Sequence, residues 1–167
     1  MFIQARKLIG LPLAAVDAQA KVGQINQTII DPDNGRVLGF LIKVGGILSP
    51  ALALSIVDVR QWDPNGIVTN SIDNLVKIKD IIRISDIVNK KIDFLKMSAK
   101  TENGKSLGLV EDLLIDTDTE CVIKYYLEDL FGKSRVLSSD KVIKVDKAII
   151  FSDDVNEPDA SAVGATV

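Results

Sequence analysis

GQINQTIIDPDNGRVLGFLIKV, residues 23–44, aligns without a gap with GLVEDLLIDTDTECVIKYYLED, residues 108–129, at an offset of 85 residues. Each stretch reads glycine, apolar run, acidic turn, apolar run. Two aliphatic runs around a short turn of Asp, Asn, Pro and Gly predict a hairpin, because proline presets one turn dihedral and Asn-Gly tolerates positive φ. A unit that recurs at fixed spacing denotes two copies of one structural module. What recurs is scaffold, made of glycines, turns and aliphatic side chains, rather than reactive groups.

Working outward, copy one opens with a strand over residues 8–16, broken at Pro12, and continues with 22–30, the DPDNG turn and 37–44. A single strand over 52–59, the turn Asp63-Pro64-Asn65-Gly66 and a closing strand at 67–70 complete it. Copy two offers strands at 94–101, 107–115, 121–127, 135–137, 142–145 and 148–151, with Glu102-Asn103-Gly104-Lys105 as its first tight turn. Between the copies, Ile78, Ile81, Ile82, Ile87 and Val88 follow helical spacing and predict a helical connector. The expected fold is therefore all-β, two tandem small antiparallel β-barrels with a short helical connector. The boundaries are 1–70 and 93–153 for the barrels, 71–92 for the connector and 154–167 for a small, polar, flexible tail.

Hydrophobic residues make up 47% and charged residues 26% of the 167 residues, enough for a core and too apolar for wholesale disorder. Each half alone is small, so the halves are expected to pack on one another or to pair with a second chain, and a homo-oligomer stays open. With 20 basic and 23 acidic residues the net charge is −3, which argues against a broad cationic face and against direct nucleic-acid contact. No apolar run approaches the roughly 20 residues of a spanning helix. Arg6 and Lys7 before LIGLPLAAV, with Ala18 and Ala20, mimic a secretory signal, but Gly10, Pro12 and Asp17 interrupt the pattern. The stretch stands where copy two has residues 94–105, so it is read as a strand. Cys121 is alone, which fits a reducing, cytoplasmic setting.

The chemistry is sparse. There is no histidine, which removes the commonest general base, the Ser-His-Asp and Cys-His arrangements and the usual zinc and haem ligands. Cys121 is read as a buried or half-buried structural thiol. Asp31-x-Asp33 and Asp116-x-Asp118 resemble the start of a calcium loop, yet the twelfth positions are Ile42 and Leu127 rather than a bidentate glutamate. Turn chemistry explains them, as it explains Gly45-Gly46 and Gly104, which lack phosphate-loop spacing. Glu111 and Asp112, adjacent on a strand, are expected to face opposite sides. No catalytic residue, cofactor site or metal site is assigned.

The loop at residues 45–54, GGILSPALAL, differs most between the copies, because copy two is far more polar there. It either packs against the other copy or the connector, or it forms a partner-binding patch with Ile47, Leu48 and Leu52 as contacts. Trp62 stands where copy two has Val145; core packing is one reading and an interface anchor the other.

The residues at 8–12 (LIGLP), 21–23 (KVG), 30–37 (IDPDNGRV), 39–41 (GFL) and Asp58-Val59, repeated at 103–105 (NGK), 107–112 (LGLVED), Ile115-Asp116 and 138–142 (SSDKV), resemble the PRC-barrel family over residues 8–151. Gln19 stands where copy two has Gly104, and Glu120, Cys121 and Lys124 where copy one has Gly35, Arg36 and Gly39, which leaves the turn types open. The resemblance implies a small antiparallel barrel that binds or assembles with other proteins, with no shared catalytic residues. The expected function is a non-catalytic protein-binding adaptor or assembly module. The alternatives are a ribosome-maturation or RNA-processing associated factor and a peripheral partner of a membrane electron-transfer complex.

Overall fold

The structure is a computed structural model and describes residues 1–156; the expectation for the tail falls largely on residues 157–167, outside that range. The chain runs β1 (Phe2–Gln4), α1 (Ala5–Leu8), β2 (Pro12–Ala15), β3 (Ala20–Ile30), β4 (Val37–Lys43) and β5 (Leu52–Ser55). After a 3-10 turn at Ile56–Asp58 come β6 (Val59–Asp63) and β7 (Gly66–Thr69). The connector holds a 3-10 turn at Ile72–Asn74, β8 (Val76–Lys77), a second at Ile78–Asp80 and α2 (Ile82–Asn89). The second half has β9 (Ser98–Thr101), β10 (Ser106–Asp116), β11 (Cys121–Glu128), β12 (Ser134–Ser138), a 3-10 turn at Ser139–Lys141, β13 (Val142–Val145) and β14 (Ile149–Phe151). A last 3-10 turn spans Asp153–Asn156.

The fold is all-β, in two sheets with one order. The first runs β6-β7-β2-β3-β4-β5 and the second β13-β14-β9-β10-β11-β12, with β8 added outside β5 and β1 paired to β10. In each, the strands at the two ends of the path are consecutive in sequence and joined by a one-turn 3-10 segment. So short a link forces each sheet to curl until its ends meet, which gives barrel-like units. Two sequence expectations change here. The strand predicted over 52–59 is cut by the 3-10 turn, and the strand predicted from residue 8 starts at Pro12, where proline's missing N–H is best tolerated, after a helical turn.

The halves meet around a pseudo-twofold axis. The Val37 N–H donates to the Glu120 carbonyl at 2.7 Å, and the Val122 N–H donates to the Gly35 carbonyl at 2.9 Å, a reciprocal exchange between equivalent positions. The bridge Arg36↔Cys121 between them is antiparallel. Cys121 is half-buried at this seam, and its Sγ meets the Thr119 carbonyl at 3.3 Å. The chain start crosses over: Phe2, Ile3 and Gln4 pair with Asp116, Ile115 and Leu114 of β10. One apolar core therefore includes Leu8, Ile25 and Phe40 from one half and Leu113, Tyr125 and Phe151 from the other.

A second, smaller core explains a difference between the two hairpins. Ile84 and Ile87 of α2 cover the outer face of the first sheet at Ile29, Leu41 and Ala53. With both faces covered, β4 is apolar almost throughout, whereas β11 alternates, burying Val122, Tyr125 and Leu127 and exposing Lys124 and Glu128. Arg83 anchors the helix. Its guanidinium donates to Asp31 at 2.6 Å and to Asp33 at 2.6 Å. In the second half the equivalent carboxylates, Asp116 and Asp118, take the amino terminus at 3.4 and 2.7 Å.

Candidate interaction surface

At the far end of β4 the chain must reverse before β5. The Ser49 N–H donates to the Gly46 carbonyl at 3.0 Å, which closes a four-residue turn with Ile47 and Leu48 at its corners. Corner side chains of such a turn point away from the strands it joins, and Ile47 is 87% and Leu48 97% exposed. The stretch 45–54 divides between the two sequence readings: Leu52 and Ala53 pair with Lys77 and Val76 of the connector and Ala53 lies under α2, while Ile47 and Leu48 form an exposed apolar tip.

The remaining predicted contacts lie elsewhere. Leu52 is half-buried in β5, paired with Ile42 on one side and Lys77 on the other. Trp62 belongs to the core and not to an interface: it is 8% exposed, and its ring meets Phe40 edge-on with centroids 5.5 Å apart. Trp62 sits opposite Ile67 in the β6–β7 ladder, and its side chain is directed into the barrel.

Sequence reasoning missed the matching tip. The Gly132 N–H donates to the Asp129 carbonyl at 3.0 Å and closes the same kind of turn, with Leu130 and Phe131 at its corners, 97% and 95% exposed. Here a carboxylate sets the shape. Asp129 accepts the N–H groups of Phe131 and Lys133, each at 2.9 Å. Those amides, the Lys133 one foremost, hold the Asp129 carboxyl below the ordinary carboxylate range despite partial desolvation. Behind this tip a groove of about 380 Å³ runs past Leu130, Leu109, Gly108, Ser98 and Ser106. The charged neighbours Glu128, Asp129 and Lys133 made this loop read as polar, and its shorter length hid the register. The available signal was Asp-x-x-Gly, since Asp at the first and Gly at the last position favour such a turn.

The two tips lie apart. β4 and β11 leave the pseudo-twofold seam in opposite directions, because the bridge there is antiparallel, and each ends in its tip. The molecule thus presents two equivalent pairs of large apolar side chains, one at each end.

The acidic pair on β10 is engaged by α1. A bulge between Val110 and Asp112 breaks the alternation expected for Glu111 and Asp112. Both carboxylates turn to Arg6: Glu111 takes its guanidinium at 2.9 Å and Asp112 its backbone N–H at 3.0 Å. They fasten α1 to the second sheet.

This architecture defines a duplicated, barrel-like β-sheet module with one strand order in both halves. The family model for the PRC-barrel domain matches residues 1–87, just over half of the chain, and the protein belongs to that family. No curated protein matches it. No helix among the described residues is long and apolar enough to cross a membrane.

Proposed function

We propose that this PRC-barrel protein is a non-catalytic, cytoplasmic, two-ended adaptor that binds protein partners through the turns at Ile47-Leu48 and Leu130-Phe131. The observation that carries the reading is the display of two adjacent, almost fully exposed large apolar residues at the same place in both halves. Isolated exposed hydrophobics are ordinary, but a pair repeated on rigid, hydrogen-bonded turns fits a contact surface. Aromatic and aliphatic side chains of this kind are typical anchors of interface energy. Their placement at opposite ends favours bridging two protein surfaces over lying against one flat membrane.

The test is affinity capture from the native host with the intact chain, with Ile47→Asp/Leu48→Asp and with Leu130→Asp/Phe131→Asp. These positions are exposed, so the variants keep the wild-type fold by circular dichroism. The expected result is loss of a distinct set of partners from each double variant. Equal recovery of every partner by both variants overturns the proposal.

A further inference from the structure

Four strands end the two sheet paths, and three of them are protected against pairing with another chain. β8 is two residues long with Lys77 exposed. β6 and β13 each carry a bulge, at Val59/Gln61 and at Val142/Lys144, and each exposes a basic side chain, Arg60 or Lys144. Short length, bulges and exposed charges are the usual means by which native sheets blunt an edge. β12 has none of them. Its five residues pair with β11 in unbroken register, and its one charged residue, Arg135, is half-buried. It meets β13 at the Ser139–Lys141 corner without a ladder to it, so among the described residues its outer edge has no strand partner.

The first half shows what such an edge accepts. β5 is the equivalent strand, since Ala53 pairs with Leu41 as Val136 pairs with Tyr126. The outer edge of β5 takes an antiparallel strand, β8, at Leu52 and Ala53, and α2 then covers Leu41 and Ala53. In the second half Val136 stays 51% exposed beside Tyr126.

β12 is complementary to itself. Ser134-Arg135-Val136-Leu137-Ser138 is nearly symmetric about Val136. Antiparallel pairing of two copies centred there sets Val136 opposite the partner's Val136 and Ser134 opposite the partner's Ser138. It also brings exposed Lys133, just before the strand, alongside the partner's Asp140, which is exposed just after it, twice by symmetry. Apolar and opposite-charge pairs across strands stabilise a sheet, and a twofold contact has to be self-complementary in this way.

We infer that the chain forms a symmetric dimer through β12, in which the two second-half sheets join into one continuous sheet with Tyr126 and Val136 of both copies on one face. The contact is separate from the apolar tips and does not depend on them. It is small, so association belongs in the micromolar range of protein concentration.

The experiment is sedimentation equilibrium of the full chain from micromolar to millimolar concentration. The expected result is a mass that rises from that of one chain, 18.1 kDa, to twice that value. Val136→Lys puts two like charges at the symmetric centre and holds the mass at one chain throughout. Lys133→Asp and Asp140→Lys each set like charges against one another and weaken the dimer roughly ten-fold. An equimolar mixture of these two variants, in which every such contact is again between opposite charges, regains the wild-type affinity. All three positions are exposed, so each variant keeps the wild-type circular dichroism. A wild type that remains a single chain at millimolar concentration, a dimer that survives Val136→Lys, or a mixture no more associated than its components each overturns the inference.

Discussion

Four side chains hold a backbone conformation that glycine would hold without strain. Gln19, Lys91, Lys96 and Glu120 have φ of +51°, +56°, +72° and +58°. Three of them face a glycine in the other copy: Gln19 corresponds to Gly104 at +84°, Lys96 to Gly10 at +85°, and Glu120 to Gly35 at +73°. Each turn thus keeps its shape while the residue changes, because the strands on either side dictate the reversal. The left-handed conformation costs a side-chain residue roughly 1–2 kcal/mol, and glycine's extra freedom in the unfolded chain returns part of any gain. Gln19→Gly is expected to stabilise the protein by about 0.5–1 kcal/mol, and Gly104→Ala to destabilise it by about 1 kcal/mol, both read from urea denaturation midpoints. Nothing lies within 4 Å of a Cβ built at Gly104, so that variant reports backbone strain alone. The sequence reading left these turn types open for a physical reason. Glycine announces positive φ, whereas Glu120 does so only through its position opposite Gly35 across the seam.

At the scale of elements, α2 shows how one copy acquired a partner that the other lacks. The helix is only eight residues long, too short to be stable alone, and it lacks a side-chain cap. It is held by Ile84 and Ile87 against the first sheet and by Arg83 at the Asp31–Asp33 turn. Burial works to raise the Asp31 pKa and is the largest single influence on it. The Arg83 guanidinium and the Asp33 N–H together outweigh burial and leave the carboxyl below its ordinary value. A carboxyl whose pKa is depressed by folding contributes stability above its unfolded pKa and loses it as pH falls through the folded value. Arg83→Met is therefore expected to cost about 1 kcal/mol at pH 7, after allowance for the partly exposed guanidinium. The difference from the wild type should shrink below about pH 4, near the unfolded carboxylate pKa, as seen in parallel urea titrations across pH. A difference that does not change with pH would show that Arg83 acts through packing alone. The connector was legible as helical from the spacing of its isoleucines. The short strand β8 and the two 3-10 turns were not, because two- and three-residue elements leave no periodicity to read. The near-continuous apolar run of β4 against the alternating run of β11 did carry the information that one outer face is covered and the other is not.

For the whole molecule, the question is whether two repeats make two folding units or one. The repeat is legible in sequence because offset, glycines and turns all agree, and the doubling of the sheet follows from it. The exchange between halves was not legible. β1 has only three residues, Phe2 among them strongly exposed, and the seam at Arg36 and Cys121 is made of backbone hydrogen bonds with one exposed ion pair, Arg36 to Glu120, which leave no periodic pattern to read. Those contacts, with a single apolar core that draws on both halves, tie the stability of each to the other. Either half alone would expose part of that core, and β1 would lose its strand partner, β10. The chain offers a clean probe of the point. Its one tryptophan, Trp62, reports on the first barrel, while far-ultraviolet circular dichroism reports on both. The two signals are expected to trace a single coincident transition in urea, the mark of two-state unfolding. Tyr125→Ala, a truncation in the core of the second barrel, should move the Trp62 transition by as much as it moves the dichroism, on the order of 3–5 kcal/mol. If tryptophan fluorescence held its wild-type midpoint while the dichroism split into two steps, the halves would be independent domains, and the seam at Gly35, Val37, Glu120 and Val122 would be a contact without energetic weight.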